Sequence, residues 1–186
     1  MVTTTPSEAT LTAILQRAQA QGVLGARPIA EVLSHSRSFV AAIPDDAVSV
    51  VDLGSGAGIP GLVIALDRPT TRVTLVDRRT SRVDTLQRAI IALGWAERVV
   101  AAEFDAEVLS RDPAHQGGYD VVVARGFGDP AITLPIAARL ARKGGWVIIS
   151  EPPPDHGSRW DRDWVQSLGV GMPERLGQVV RFHVEH

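Results

Sequence analysis

One stretch, Val48 to Gly61 (Val-Ser-Val-Val-Asp-Leu-Gly-Ser-Gly-Ala-Gly-Ile-Pro-Gly), constrains the fold more than any other part of the chain. Its β-branched apolar start reads as a buried strand. Asp52 closes that strand, and four glycines follow within eight residues, at 54, 56, 58 and 61. Ile59, Leu62, Val63 and Leu66 then recur at helical spacing. A strand, a glycine turn and a helix in succession make a nucleotide-type cofactor site. Glycines admit close backbone approach, and the helix start offers free N–H donors at the positive end of its dipole.

Two chemistries use this architecture. Gly56-x-Gly58-x-x-Gly61 fits the dinucleotide fingerprint, and Asp77, 16 residues past Gly61, stands near the place of a ribose-binding acid. Asp52 favours the other. A carboxylate at the tip of the first strand suits a cationic ligand and repels a diphosphate. S-adenosyl-L-methionine carries a sulfonium and an ammonium, has no phosphate, and still has a ribose for a second acid. It is the expected cofactor, with NAD the alternative.

The rest of the chain reads as alternating strands and helices. Ser7 to about Ala20 is a helix, Gly22 and Gly25 end it, and a second helix runs from Pro28 until Pro44. Residues 1–45 thus form a helical cap on a core of residues 46–186, in a single domain. Strands follow at Arg72–Asp77, Arg98–Ala102, Tyr119–Ala124 and Trp146–Ser150. Helices start at Thr80 or Ser81, near Asp105, and at Pro130, the last stopped by Gly144-Gly145. A loop at Glu151–Gly157 holds three consecutive prolines. A helix near Trp160–Leu168 and two late segments, about Gly171–Leu176 and Gln178–Val184, complete the chain. The expected fold is α/β: a doubly wound, mostly parallel Rossmann-like sheet with an antiparallel strand near one edge.

In such a sheet, ligands bind at the carboxyl ends of the strands near the switch point. That rule gathers Asp52, Gly54, Gly56 and Gly58 after strand one, Asp77 after strand two, and Glu103, Phe104 and Asp105 after strand three. Arg125, Gly126 and Phe127 follow strand four, and Glu151 follows strand five. Asp77 either accepts from both ribose hydroxyls or caps the next helix. Phe104-Asp105 either flanks an adenine or places Phe104 in the core. Arg125, after four apolar residues, holds the cofactor's carboxylate, orients a substrate, or pairs with a nearby acid. Arg78, Arg79 and Arg82 make a basic patch suited to RNA phosphates, or a solvated helix face.

Composition narrows the function classes. No apolar run approaches the roughly 20 residues of a membrane span. The polar segment Met1–Ala9 lacks a signal-peptide core. The chain has no cysteine, and its five histidines lack metal-ligand spacing, so no metal is expected and a cytoplasmic location is the default. A net charge of −2 means that any nucleic-acid contact is a local patch. No Ser-His-Asp order and no phosphate loop ending in Gly-Lys-Ser/Thr is present.

At these residues the chain resembles the class I methyltransferases, and more narrowly the bacterial small-subunit ribosomal RNA guanine-N7 methyltransferase family (RsmG, or glucose-inhibited division protein B). The family's turn, Asp-x-Gly-Ser/Thr-Gly-x-Gly-x-Pro-Gly, is met by Asp52 through Gly61. Its strand-four signature looks like Ala124-Arg125-Gly126-Phe127, and its basic helix like Ser81-Arg82-Val83. The resemblance covers roughly residues 28–184. It implies cofactor contacts at Gly54, Ile59, Phe104, Asp105 and Arg125, and methyl transfer to a guanine N7 in 16S ribosomal RNA, with the small ribosomal subunit as partner. The family's Arg-His before strand one is echoed by Ser34-His35, and Ser150-Glu151 stands where its Lys-Gly is found. A related methyltransferase acting on a small molecule or a protein is the alternative.

Overall fold

The computed structural model describes residues 6–152 and 159–185. The expected polar N-terminal tip, the second and third prolines of the proline run, His156 and His186 lie outside the described residues. Seven strands form one sheet in the order β3-β2-β1-β4-β5-β7-β6. They are β1 (Ser49–Leu53), β2 (Arg72–Asp77), β3 (Val99–Glu103), β4 (Tyr119–Ala124), β5 (Ala141–Ser150), β6 (Glu174–Leu176) and β7 (Val179–His183). The first five are parallel to one another, while β7 runs antiparallel to both β5 and β6. The antiparallel strand is therefore next to the edge. The chain reverses its direction of travel across the sheet between β1 and β4, and the crevice opens above that switch point.

Alternation along the strands divides the core into two layers. Val50, Val73, Leu75, Val121, Val123 and Ile148 point to one face. They meet α1 (Pro6–Ala20), α2 (Ile29–Ala42), α3 (Gly61–Asp67) and α4 (Thr80–Leu93) there. Val51, Leu53, Val76, Val122, Val147 and Ile149 point to the other, against α5 (Ala106–Arg111), α6 (Pro130–Leu140) and α7 (Arg162–Ser167). Strands covered on both faces must be apolar at consecutive positions, which is why Val121-Val122-Val123-Ala124 has no polar residue. The helical lead belongs to the first layer: Leu11 and Leu15 of α1 and Phe39 of α2 have no solvent exposure. Truncating such a phenylalanine costs about 3–5 kcal/mol.

Local signals set the helix ends. Gly94 takes a left-handed conformation at the end of α4 (φ 72°), and its N–H reaches the carbonyls of Ile90 and Ile91. Asp105, Asp129 and Asp161 cap α5, α6 and α7 with their side chains.

Two expectations are corrected. Helix α6 ends at Leu140 rather than at Gly144-Gly145, and β5 starts at once, at Ala141. The glycines sit in an irregularity of β5. Tyr119 pairs with Ala141 and Val121 with Trp146, so two steps along β4 span five along β5. A Cβ on Gly145 would lie 2.8 Å from the carbonyl oxygens of both Arg142 and Asp120, so the bulge admits only glycine there. Second, β1 extends to Leu53, so Asp52 lies inside the strand, not at its tip.

Candidate active site

The glycine turn is held from two sides by carboxylates. Asp52 shares the face of Val50 and lies beneath the start of α3, where its Oδ2 accepts from the Gly61 N–H at 3.0 Å. A Cβ on Gly61 would come within 2.8 Å of that oxygen and would collide with Leu75, so only glycine lets helix and strand approach this closely. Asp77, at the end of β2, accepts from the Gly56 N–H and the Arg79 N–H, both at 3.0 Å. Ser55 donates its N–H to the Val76 carbonyl and its hydroxyl to the Asp52 carbonyl.

This corrects the expected role of Asp52 as a carboxylate presented to a ligand at the strand tip. It is 1% exposed. Burial pushes its carboxyl up to about 7, against the Gly61 amide, the nearby Ser55 hydroxyl and the Arg125 charge. Its Oδ1 is buried without a hydrogen-bond partner among the described residues. The expected open donors at the helix start are corrected too. The N–H groups of Gly58, Ile59, Gly61, Leu62, Val63 and Ile64 are all satisfied within the turn or by Asp52. Gly58 and Ile59 are buried, Ile59 in the core beside Leu62, and neither lines the cavity described next. The series Ile59, Leu62, Val63 signals packing; of the turn's glycines only Gly54 and Gly56 are partly open.

A cavity of about 440 Å³ opens over the ends of β1, β2 and β3, against the start of α6. Gly54, Asp77, Phe104 and Asp105 line it, with Phe127, Ile132 and Ile136 opposite. Phe104 is 40% exposed, so it belongs to the cavity wall and not to the core. Asp105 uses Oδ1 to cap α5, through the N–H groups of Glu107 and Val108. Arg78, Arg79 and Arg82 line the same cavity, and Arg82 lies 3.7 Å from Asp77. The Phe127 ring rests on Gly54: a Cβ there would sit 2.8 Å from its Cδ2. Ile132, 57% exposed, is a site residue that sequence reasoning missed.

Arg125 does not join this cavity. It lines a second one, also about 440 Å³, with Leu24, Gly25, Arg27, Val32, His35 and Ser150. Gly126 borders both. Burial lowers the Arg125 pKa, the charge of Asp52 raises it, and that of Arg27 lowers it again. Burial, then the charges of Arg125 and Arg27, lower that of His35. The His35 Nε2 is buried without a partner among the described residues. Sequence reasoning missed Arg27 and noted His35 only as half of a two-residue echo.

Glu151 is not a free acid at the mouth. It is almost fully buried and pairs with Arg159 at 2.7 Å, and it accepts from the Trp160 indole N–H. Arg159 lines a smaller cavity beside Gly126, Phe127 and Ser150. Among the described residues no group of three or more His, Cys, Asp or Glu could hold a metal ion, and no helix is long and apolar enough to cross a membrane.

The family model GidB, described as rRNA small subunit methyltransferase G, matches residues 11–151. Relatives named ribosomal RNA small subunit methyltransferase G come from several bacteria. That of Rhizorhabdus wittichii is 43% identical over 99 residues, covering 53% of this chain and 43% of the relative. That of Roseiflexus castenholzii is 37% identical over 136 residues, covering 73% and 55%. The chain spans about half the length of these relatives. Among solved structures, a methyltransferase from Geobacter sulfurreducens superposes with a TM-score of 0.67 at 16% identity, covering 96% of this chain and 90% of that one. The S-adenosylmethionine-dependent methyltransferase SibL gives 0.62 at 21%, covering 81% and 55%. At these identities the likeness is one of fold.

Proposed function

The chain belongs to the GidB family of small-subunit rRNA methyltransferases, and from that premise we propose that it transfers a methyl group from S-adenosyl-L-methionine to N7 of a guanine in small-subunit ribosomal RNA. The observation that carries the reading is the pair of cavities meeting at Gly126 above the glycine turn. One suits an adenosine, and the other is lined by cations.

The residues fit this cofactor better than a dinucleotide. A diphosphate needs free amides at the helix start, and those of α3 are already used. The buried, unpartnered Oδ1 of Asp52 beneath the turn favours a cationic ligand above it by charge alone, without contact. Each Asp77 oxygen accepts one backbone N–H and keeps a further lone pair for a ribose hydroxyl. Phe104 and Ile132 offer apolar faces to a purine, and the Asp105 carboxylate lies at the same wall for its amine. Arg125, half-buried on the far side of Gly126, holds the cofactor's carboxylate. The arginines at 78, 79 and 82 stand at the rim of the adenosine cavity and meet RNA phosphates there.

When bound, the cofactor supplies a methyl group made electrophilic by its sulfonium. Guanine N7 has an exposed lone pair and no proton to lose, so the chain's task is to position it. Near-attack distances are about 3–3.5 Å. Glu151 follows Ser150 of the second cavity, and its pairing with Arg159 keeps that charge from standing free against RNA at that corner.

The test is a labelled-methyl transfer assay. Small-subunit RNA, assembled small subunits, bulk protein and small-molecule extracts are offered in parallel, with titrations of S-adenosylhomocysteine and NAD alongside. The expected result is label in RNA and binding of S-adenosylhomocysteine only. Label in protein or small molecules assigns the alternative substrate class, and binding of NAD alone overturns the reading.

A further inference from the structure

We infer that the cavity lined by Arg27, His35 and Arg125 is the acceptor subsite, and that Arg27 binds a phosphate of the RNA strand at its mouth. The inference rests on the proposed methyl transfer to RNA.

The cavity has the makings of a nucleotide site. Leu24 and Val32 give it an apolar wall of the kind a base needs. No carboxylate lines it, although two arginines do. Those arginines repel each other, and Asp52, the acid whose charge acts on Arg125, is buried beneath the turn. His35 lines the cavity as well, its Nε2 buried without a hydrogen-bond partner among the described residues. With Arg125 given to the cofactor's carboxylate, the exposed guanidinium of Arg27 beside an apolar wall asks for an anion joined to a planar group.

The two arginines are not equivalent. Arg125 extends β4 and is half-buried, while Arg27 stands exposed on the loop between α1 and α2. Most other arginines of the fold are already engaged: Arg37 with Glu8 and Asp67, Arg142 with Asp120, Arg159 with Glu151 and Arg181 with Glu174. Arg27 has no side-chain hydrogen bond or ion pair among the described residues. Its loop is nonetheless fixed. The Gln19 side chain donates to the carbonyls of Gly25 at 2.7 Å and Arg27 at 2.6 Å, and the buried Leu24 anchors the turn. A rigid loop that aims a free guanidinium over a cavity is preorganised for a bidentate phosphate contact.

The test compares wild type with Arg27→Ala and Arg27→Lys in methylation of small-subunit RNA over a series of salt concentrations, with S-adenosylhomocysteine affinity measured in parallel. Arg27 is exposed, so both variants fold. For Arg27→Ala the expected result is S-adenosylhomocysteine affinity within about twofold of wild type and a KM for RNA raised roughly tenfold. The slope of log affinity against log salt is expected to be shallower by about 0.7, the value for one phosphate contact on a single strand. Arg27→Lys restores the slope and only part of the KM, because a point charge replaces a fork. An unchanged KM and slope in Arg27→Ala, with wild type active on RNA, overturns the inference alone. Loss of S-adenosylhomocysteine affinity with the salt slope unchanged assigns the anion to the cofactor's carboxylate and also overturns it. A wild type that binds S-adenosylhomocysteine and methylates no RNA removes the function reading and the inference together.

Discussion

Replacing Asp52 by Asn should remove a pH-dependent weakness from the fold. The Asp52 carboxyl titrates near 3.8 in the unfolded chain and at about 7 in the folded one. Between those values the folded state holds a proton that the unfolded state has released, so stability falls as pH rises. The upper bound is the full rise from 3.8 to about 7, or about 4 kcal/mol at roughly 1.4 kcal/mol per pH unit. Relaxation around a buried charge reduces this, and about 2–4 kcal/mol is the working range. The sign follows from burial as the first cause. The stabilisation by the protonated acid is complete below pH 4 and lost by pH 7. Asn keeps an acceptor for the Gly61 N–H but places an amide donor in a buried position, at a cost of about 1–3 kcal/mol that is independent of pH. Other titrating groups, such as Asp120, whose carboxyl is held down to about 2, occur in both proteins and cancel in the difference. The assay is guanidinium unfolding of both proteins at half-unit steps from pH 4 to 8. Wild type should lose about 2–4 kcal/mol relative to Asp52→Asn across that range. A difference that stays flat with pH would refute the reasoning, since Asp52 would then ionise alike in both states.

Three further substitutions probe the same region. Asp77→Ala removes the anchor of the Gly56 N–H and the acceptor for the ribose, and should weaken S-adenosylhomocysteine binding more than tenfold by calorimetry; unchanged affinity would detach Asp77 from the ligand. Gly54→Ala puts a Cβ at φ 65° and 2.8 Å from the Phe127 ring. It should destabilise by more than about 1 kcal/mol in denaturant unfolding and abolish cofactor binding; a variant of wild-type stability would show that the turn relaxes freely. Glu151→Gln strands Arg159 beside a nearly buried group and should cost about 1–3 kcal/mol, or roughly 2–12 °C in Tm for a chain of this size; an unchanged Tm would make the pair a surface ornament.

The doubly wound, mostly parallel sheet with its antiparallel strand near the edge and the convergence of Gly54, Asp77, Phe104 and Asp105 on one cavity were legible, because consecutive apolar residues fix the strands and the topology fixes where their ends converge. The depth of Asp52 was not. Sequence shows an acid near a strand end, and only the seat of α3 decides whether it faces water or the Gly61 N–H. The charge argument that set Asp52 against a diphosphate fails with that depth; the occupied amides of α3 are what speak against a diphosphate. Gly144-Gly145 were misread because a glycine pair stops a helix and builds a bulge equally well. Glu151 looked like a misplaced charge because its partner, Arg159, lies eight residues on, past the proline-rich loop. Arg27 and His35 carry no local signal at all. They matter because the α1–α2 region folds back over the ends of β4 and β5, a contact that periodicity does not encode.

The most direct measurement is nucleoside mass spectrometry of small-subunit RNA incubated with the purified protein and isotopically labelled S-adenosyl-L-methionine. One labelled 7-methylguanosine at a single position is the expected result. A protein that binds S-adenosylhomocysteine yet leaves every guanine N7 unlabelled, in naked RNA and in assembled subunits alike, would contradict it.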